Sequence, residues 1–250
     1  MFNNVPAAAA AAAMMPWSFS PETICESAAR LLFMNVRWAK SVPAFTTLPS
    51  RDQIVLLEES WRELFVLGAA QFTLPIEAGT LMTALGLSSS PFGMAGMPCP
   101  TAVSTERQLG LLSEIKAFQE TVAKFKQMNV DPTEYACLRA VILFKTCKLL
   151  IRYVLMEVLQ YTHVFFISTA AGLRDIPSAI NLQDQAQLTL SRYVSTAYPN
   201  QPLRFGRLLL LLPALRAIAP STIEELFFRK TIGNIPIERI ISDMYKSGDL

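Results

Sequence analysis

The sequence predicts an all-α domain with at most a small β-hairpin. Its 250 residues suit one large domain. Apolar residues recur at helical spacing through much of the chain, and several of these stretches begin at a Ser, Asp or Pro start signal. The composition is 52% hydrophobic and only 17% charged, which is more apolar than an average soluble domain. These observations indicate helices packed around a large core.

The N-terminal residues predict a disordered segment followed by the first helix. Residues 1–19 contain a run of seven alanines, and an alanine helix of this length is marginal in water. We expect a disordered hinge remnant there and one folded domain over residues 20–250. Ser20 and Pro21 open a helix as N-cap and first-turn residue, and its apolar stripe continues towards Trp38.

Residues 38–57 end this helix and begin the next one. Pro43 ends the first helix, because a proline ring disfavours helical geometry in the residue before it. Ser50 and Gln53 have the spacing of a capping box for the second helix. That helix runs to about Phe72 and is apolar on nearly all sides, which is typical of a helix inside a stack.

The rest of the chain predicts mainly helices separated by short connections. Residues 75–83 are predicted to hold a short hairpin, and residues 88–104, rich in Gly, Pro and Ser, a loop. Asp131 and Glu134 form a strong helix-start signal, and Gly233 is expected to end a long helix. Further helices are predicted over 106–128, from 131 onward, over 181–198, over 202–232 and from 236 to the end.

Residues 147–170 are an apolar anomaly that allows three interpretations. A membrane span would have to bury Arg152, Glu157 and His163 at high cost. A continuation of the preceding helix would place the polar residues on one half of the helical wheel. Translated non-coding sequence is the interpretation we favour, because its removal would leave a loop of ordinary length.

The residue types exclude several classes of function. The four cysteines lie far apart without a Cys-x-x-Cys pair, so they predict neither a zinc module nor an evident disulfide framework. The single histidine, His163, excludes most His-based catalytic sites, and no phosphate-binding glycine loop or metal cluster appears. A net charge of +2 gives no general attraction to nucleic acid. We therefore expect neither an enzyme nor a bound cofactor.

A family resemblance is carried by the pattern aromatic-Ala-Lys, Phe, Leu, Asp-Gln and Leu-Leu. It is filled here by Trp38-Ala39-Lys40, Phe45, Leu48, Asp52-Gln53 and Leu56-Leu57. This pattern resembles the signature of nuclear receptor ligand-binding domains, and the ending SDMYKSGDL, among other stretches, looks like the tailless-type orphan receptors. The resemblance covers roughly residues 22–250. It implies a three-layer antiparallel α-helical sandwich, a nuclear location and no membrane.

Nuclear receptors normally carry a Cys-rich zinc module before this domain, and no such module is present in this sequence. We therefore expect a fragment, an isoform or an incomplete gene model of a longer receptor. DNA contact is expected only through that separate zinc-finger domain.

The resemblance implies a surface groove that binds a coregulator helix. In such a groove Lys40 would cap the carbonyl end of the bound helix and Asp243 its N–H end. The alternative for the last helix is a plain C-terminal helix that completes the core. The residues that match groove positions are Val36, Lys40, Phe45, Gln53, Ile54, Leu57 and Glu58, together with Ile240, Ile241, Asp243 and Met244 of the last helix.

Two departures from the family pattern favour repression. Asp243 is one methylene shorter than the more usual Glu, and Glu58 stands where activating relatives often carry a basic residue. Both weaken the case for LxxLL coactivators. The tailless-type resemblance implies a transcriptional repressor that recruits atrophin-type corepressors and histone-modifying complexes. The alternative is a ligand-activated transcription factor domain that recruits LxxLL coactivators.

Two further sets of residues are carried over from the family. The expected pocket is small or collapsed, because residues 72–87 contain no arginine or lysine to hold an acidic ligand, although a hydrophobic ligand needs no charged anchor. Side chains expected to fill it are Trp61, Phe65, Phe72 and Met82. A further set resembles the family's homodimer surface: Arg204, Arg207, Leu208, Leu211 and Leu215. The same apolar stripe is also compatible with a core.

Overall fold

The computed structural model describes residues 21–85, 102–145 and 172–247, and within these ranges no strand occurs. The helices form the predicted three-layer all-α sandwich. In chain order they are α1 (Pro21–Ser41), α2 (Pro43–Thr46), α3 (Ser50–Gln71), α4 (Ala78–Ala84), α5 (Ala102–Met128), α6 (Pro132–Leu143), α7 (Ile176–Ala197), α8 (Arg204–Leu211), α9 (Pro220–Ile223), α10 (Arg229–Ile232) and α11 (Ile237–Lys246).

Helix α3 lies in the middle of the sandwich and packs against α1, α5, α6 and α11. Four consecutive side chains, Leu64 to Leu67, are each at most 1% exposed. Consecutive residues of a helix point in different directions, so α3 is covered on all sides there. This burial explains why its sequence is apolar on nearly all faces.

The acidic groups of α3 are buried with partners from other parts of the chain. Glu63 is 2% exposed, and its carboxylate accepts from Arg216 Nε at 2.6 Å and from Lys145 Nζ at 3.3 Å. Asp52 is fully buried and accepts from the backbone N–H groups of Arg174 and Asp175 at 2.9 and 2.8 Å. These bonds tie α3 to the segments around α6, α7 and α8.

One predicted capping box is confirmed and the other is wrong. Asp131 accepts from the backbone N–H of Glu134 at 2.9 Å, and the Glu134 carboxylate accepts from the Asp131 N–H at 3.0 Å. Helix α3 instead has Pro49 as its N-cap, and no side chain caps it. The Gln53 side chain, predicted to complete that box, is bonded to the preceding connection.

The predicted hairpin over residues 75–83 is also wrong, because α4 occupies most of this segment. Adjacent Leu81 and Met82 are both buried, at 0% and 9% exposure. A strand would point them to opposite faces, whereas a short helix packed against α1 and α5 can cover both.

The predicted long helix over residues 202–232 is broken into shorter pieces. Leu212–Arg216 is a 3₁₀-helix and Glu224–Phe228 a π-helical turn, and the two halves are bent by 72°. Pro213 and Pro220 lie at these changes because neither offers an N–H for a continuous helix. Gly233, with φ of 68°, ends α10 as predicted.

Among the described residues, no single helix is long and apolar enough to cross a membrane. The bent pair Arg204–Arg216 and Pro220–Ile232 meets the length and composition criteria together, and buried core helices meet the same criteria. The predictions for residues 1–19 and 147–170 concern segments outside the described residues.

A buried ion pair joins α6 to α8. Arg204 is 5% exposed and Glu134 fully buried, and two parallel hydrogen bonds of 2.6 and 2.7 Å connect them. Arg204 also donates to the carbonyl of Asn129 at 3.0 Å and lies 4.0 Å from the centre of the Tyr198 ring. The guanidinium therefore satisfies several groups that would otherwise be buried alone.

We expect Arg204→Ala to lower the free energy of unfolding by about 3–5 kcal/mol, because it leaves the Glu134 carboxylate buried without a cation. Urea denaturation followed by circular dichroism measures the change. The matched control is Arg207→Ala, at an exposed position of the same helix, with an expected effect of about 0.5 kcal/mol or less. Equal losses in the two variants would contradict this assignment.

Candidate functional site: the groove beneath the last helix

The candidate site is an apolar surface groove formed by α1, α2 and α3. Val36, Phe45 and Leu57 supply its floor and are each at most 1% exposed. Lys40, in the last turn of α1, and Glu58, on α3, are only partly buried. The predicted groove residues Ile54, half-buried, and Gln53, 6% exposed, also lie on α3. The two ends of the groove therefore offer different chemistry to a helix.

The chain's own last helix, α11, occupies this groove. It packs against α1 and α3, and its Ile237, Ile241 and Met244 are 0%, 1% and 8% exposed. Ile240 is partly buried against the same core. The apolar stripe predicted for this helix is therefore buried as a helical ligand would be, so these residues fill the groove rather than form its wall.

The carbonyl end of α11 is held by side chains of the groove. Lys40 Nζ donates to the Met244 carbonyl at 3.4 Å and lies 5.1 Å from the centre of the Tyr245 ring. The Tyr245 hydroxyl donates to Gln53 Oε1, and its ring meets that of Phe45 edge-on, with centres 6.1 Å apart. A cation is favoured at this end because the last carbonyls of a helix have no intrahelical partner.

Gln53 is fixed in the orientation that holds Tyr245. Its amide nitrogen donates to the carbonyls of Thr46 and Leu48 at 3.1 and 2.6 Å, which leaves Oε1 as the free acceptor. Tyr245 was absent from the predicted site residues. Its position in the last turn of the apolar stripe of α11 was the available signal.

The N–H end of α11 is held by the Glu224 carboxylate and the Trp61 indole. The Ile237 N–H donates to Glu224 Oε1 at 3.1 Å, and Trp61 Nε1 donates to Glu238 Oε1 at 2.9 Å. Burial raises the pKa of the Glu58 carboxyl, and the nearby Glu238 carboxylate raises it further. Sequence reasoning missed Glu224 and Glu238, because neither belongs to the family signature.

Asp243 does not lie in the groove in this arrangement. Its side chain is 70% exposed, 4.0 Å from Arg239 Nε one turn earlier. Successive residues differ by about 100° around a helix, so the burial of Ser242 and Met244 turns Asp243 outward. For α11 itself, the Glu224 carboxylate accepts at the N–H end. A cap by Asp243 on a partner helix stays a prediction.

Aromatic rings fill the interior near the groove. The Phe65 ring lies 5.5 Å from that of Phe227 and 5.8 Å from that of Phe228, measured between centres. Of the other side chains predicted to fill a pocket, Trp61 and Met82 are 4% and 9% exposed. Phe72 is instead partly exposed, and its ring centre lies 5.4 Å from the Arg139 guanidinium carbon.

The structure places most of the residues predicted for a dimer surface inside the domain. Arg204 is bound to Glu134, and Leu208 and Leu215 are fully buried in the core, so the chain's own interior uses these side chains. Arg207 is exposed and Leu211 half-buried. The apolar side chains that α8 and its N-terminal flank expose most are Leu203 and Leu210, at 67% and 78%.

This geometry defines the class of protein: an all-α sandwich with a surface groove that accommodates an amphipathic helix. Residues 13–232 match the family described as the ligand-binding domain of nuclear hormone receptors. The chain therefore belongs to the nuclear hormone receptor family.

Similar proteins include nuclear receptor subfamily 2 group F member 5 of Danio rerio and member 6 of Mus musculus and of Homo sapiens. Each is 42% identical to the chain over 227 residues, which is 91% of the chain. These residues cover 48%, 50% and 48% of the three relatives, respectively, so the chain spans about half their length.

Membership in this family confirms two predictions made from the sequence. Nuclear receptors are transcription factors, so the chain is not an enzyme, and they act in the nucleus. The relatives named above are group F receptors, so the tailless-type resemblance stays a prediction.

We expect Tyr245→Phe to loosen α11 in the groove, because the buried Gln53 acceptor loses its donor. The expected loss of about 1–2 kcal/mol in the free energy of docking corresponds to a roughly 5- to 30-fold loss of protection of the α11 amides against hydrogen exchange. Hydrogen–deuterium exchange of residues 237–247 measures it. Tyr193→Phe is the control, because the Tyr193 hydroxyl donates to Asp131, the N-cap of α6, and not to the groove. Unchanged exchange in Tyr245→Phe would refute the assignment.

Proposed function

We propose that residues 20–250 form the ligand-binding domain of a nuclear receptor that represses transcription by binding corepressor helices in this groove. The observation that carries the proposal is the seating of α11, whose buried stripe and terminal carbonyl occupy the groove as a partner helix would. DNA contact belongs to a separate zinc-finger domain of the receptor.

The groove has a preferred direction for its occupant. Lys40 favours the carbonyl end of a helix, and the floor of Val36, Phe45 and Leu57 favours apolar side chains one turn apart. A partner must first displace α11. Since α11 has ten residues and such short helices are marginal alone, its docking is weak enough for exchange with a partner of higher affinity.

Repression is the output that this arrangement supports best. Any helix that displaces α11 must bind without the Asp243 carboxylate in place, because Asp243 is carried by α11 and is turned outward. This loss weakens the binding of an LxxLL helix, whose N–H end Asp243 would pair with. The tailless-type resemblance extends this proposal to atrophin-type corepressors and histone-modifying complexes.

A ligand-activated domain is the second candidate function, and one residue favours it. Asn35 on α1 is 3% exposed, and neither polar atom of its side chain has a partner in the described part of the structure. A buried amide without partners costs about 1–3 kcal/mol, which a small hydrophobic ligand with one polar group would recover. This candidate requires a small molecule that raises the affinity for a coactivator peptide.

Peptide binding measured by fluorescence polarisation tests the groove. We expect an atrophin-type corepressor helix to bind more tightly than an LxxLL helix, and Ile241→Asp, which places a charge on the buried face of α11, to raise the affinity of the corepressor helix about tenfold or more. Lys40→Glu should abolish binding, because it replaces the cation at the carbonyl end by an anion.

Lys124→Glu, at an exposed position of α5, is the matched surface control for Lys40→Glu, because it makes the same change of charge on a helix that does not form the groove. Tighter binding of the LxxLL helix would overturn the repressor proposal and favour the ligand-activated one. If neither helix binds to the Ile241→Asp variant, the groove is not a coregulator site.

Family membership also favours a homodimer, and Leu203 and Leu210 are the exposed apolar side chains near its expected surface. We expect Leu210→Glu to shift a dimer to monomer in sedimentation velocity at micromolar concentration, because a carboxylate would replace buried apolar area. Leu109→Glu, at a 63% exposed position of α5, is the control. Equal sedimentation of the two variants would contradict this surface.

A further inference from the structure

The N–H end of the groove brings two carboxylates together. Glu58 and Trp61 are three residues apart on α3 and thus neighbours on its surface. The Trp61 indole binds the Glu238 carboxylate at 2.9 Å, which holds Glu238 near the turn of α3 that carries Glu58. The repulsion contributes, after burial, to the raised pKa of Glu58. Lys246, in the last turn of α11, offsets part of it.

The Trp61 indole and the Glu58 carboxylate, both on α3, favour different properties in the first turn of the docked helix. Trp61 is 4% exposed, and its N–H needs an acceptor, which any carboxylate or amide oxygen can provide. Glu58 acts on the docked helix through its negative charge. It therefore repels a carboxylate there and does not repel a neutral amide. An amide in the first turn keeps the hydrogen bond and avoids the repulsion.

We propose that Glu58 is a specificity residue that disfavours an acid in the first turn of the docked helix, and that the groove selects partner helices with Gln or Asn there. The inference rests on the proposed function of the groove. In the register of α11, such a helix has apolar residues at the positions of Ile237, Ile240, Ile241, Met244 and Tyr245, and an amide at that of Glu238.

This selectivity distinguishes a partner helix from α11 as the occupant of the groove. Helix α11 places Glu238 at the unfavourable position, although a first-turn acid gains from the helix dipole and from the charged hydrogen bond. A partner with the same apolar stripe and an amide at this position keeps the hydrogen bond to Trp61 and avoids the repulsion from Glu58. The difference depends on the charge of Glu58, whose effect Lys246 partly offsets.

The test uses two peptides that copy residues 235–247, one with Glu and one with Gln at position 238. The receptor is the full chain with Ile241→Asp, which frees the groove, and the same chain with Glu58→Gln added. Tyr245→Ala serves as a second freeing variant if Ile241→Asp unfolds by circular dichroism. Fluorescence polarisation gives the four dissociation constants.

We expect the ratio of the Glu-peptide to the Gln-peptide dissociation constant to fall about threefold or more when Glu58 becomes Gln. High salt should reduce the same ratio when Glu58 is present. A third peptide with Leu at position 238 should bind about fivefold more weakly than the Gln peptide, and Trp61→Phe should remove that difference.

The outcomes separate this inference from the function on which it rests. A ratio unchanged by Glu58→Gln overturns the specificity role and leaves the groove proposal standing. A Leu peptide that binds as well as the Gln peptide overturns the acceptor requirement of Trp61. If no peptide binds to either freed variant, the groove proposal fails and the specificity role fails with it.

Discussion

The burial of α3 along nearly its whole length is the constraint on which the rest of the structure depends. A buried helix leaves its polar side chains no water, so each must find a partner inside the protein. Asp52 takes two backbone N–H groups before α7, and Glu63 takes Arg216 and Lys145. Because these partners come from other layers, the polar residues of α3 fix how those layers meet it.

The groove follows from the same constraint. Gln53 is buried, and its side-chain amide nitrogen donates both of its hydrogen bonds to the connection between α1 and α3. Its remaining oxygen therefore points in one direction, towards Tyr245 of α11. The side chain that stabilises the entry to α3 thus also sets where the last helix binds, so folding of the centre and recognition at the surface are not independent.

Local signals were readable from the sequence, and long-range pairings were not. The Asp131 capping box spans four residues, so its pattern alone located the start of α6. Arg204 and Glu134 are 70 residues apart, and an arginine beside an apolar stripe looked like a surface residue until its buried partner was known. Ser50 fitted a capping box equally well, but the connection bound Gln53 instead.

The groove itself could be predicted in part. The family pattern identified the floor and Lys40, whose position at a helix end is set by local sequence. It could not place Asp243, because the burial of Ser242 and Met244 decides which side of α11 faces solvent. Nor could it pair Trp61 with Glu238, which lie 177 residues apart.

The docking of α11 is best understood as a balance of opposing terms. Its stripe is buried, and both ends have partners, Lys40 at one and Glu224 at the other. Against this stand the Glu58–Glu238 repulsion and the ordering of a helix too short to persist in water. Leaving the groove therefore favours the unfolding of α11, because a helix of ten residues is marginal alone.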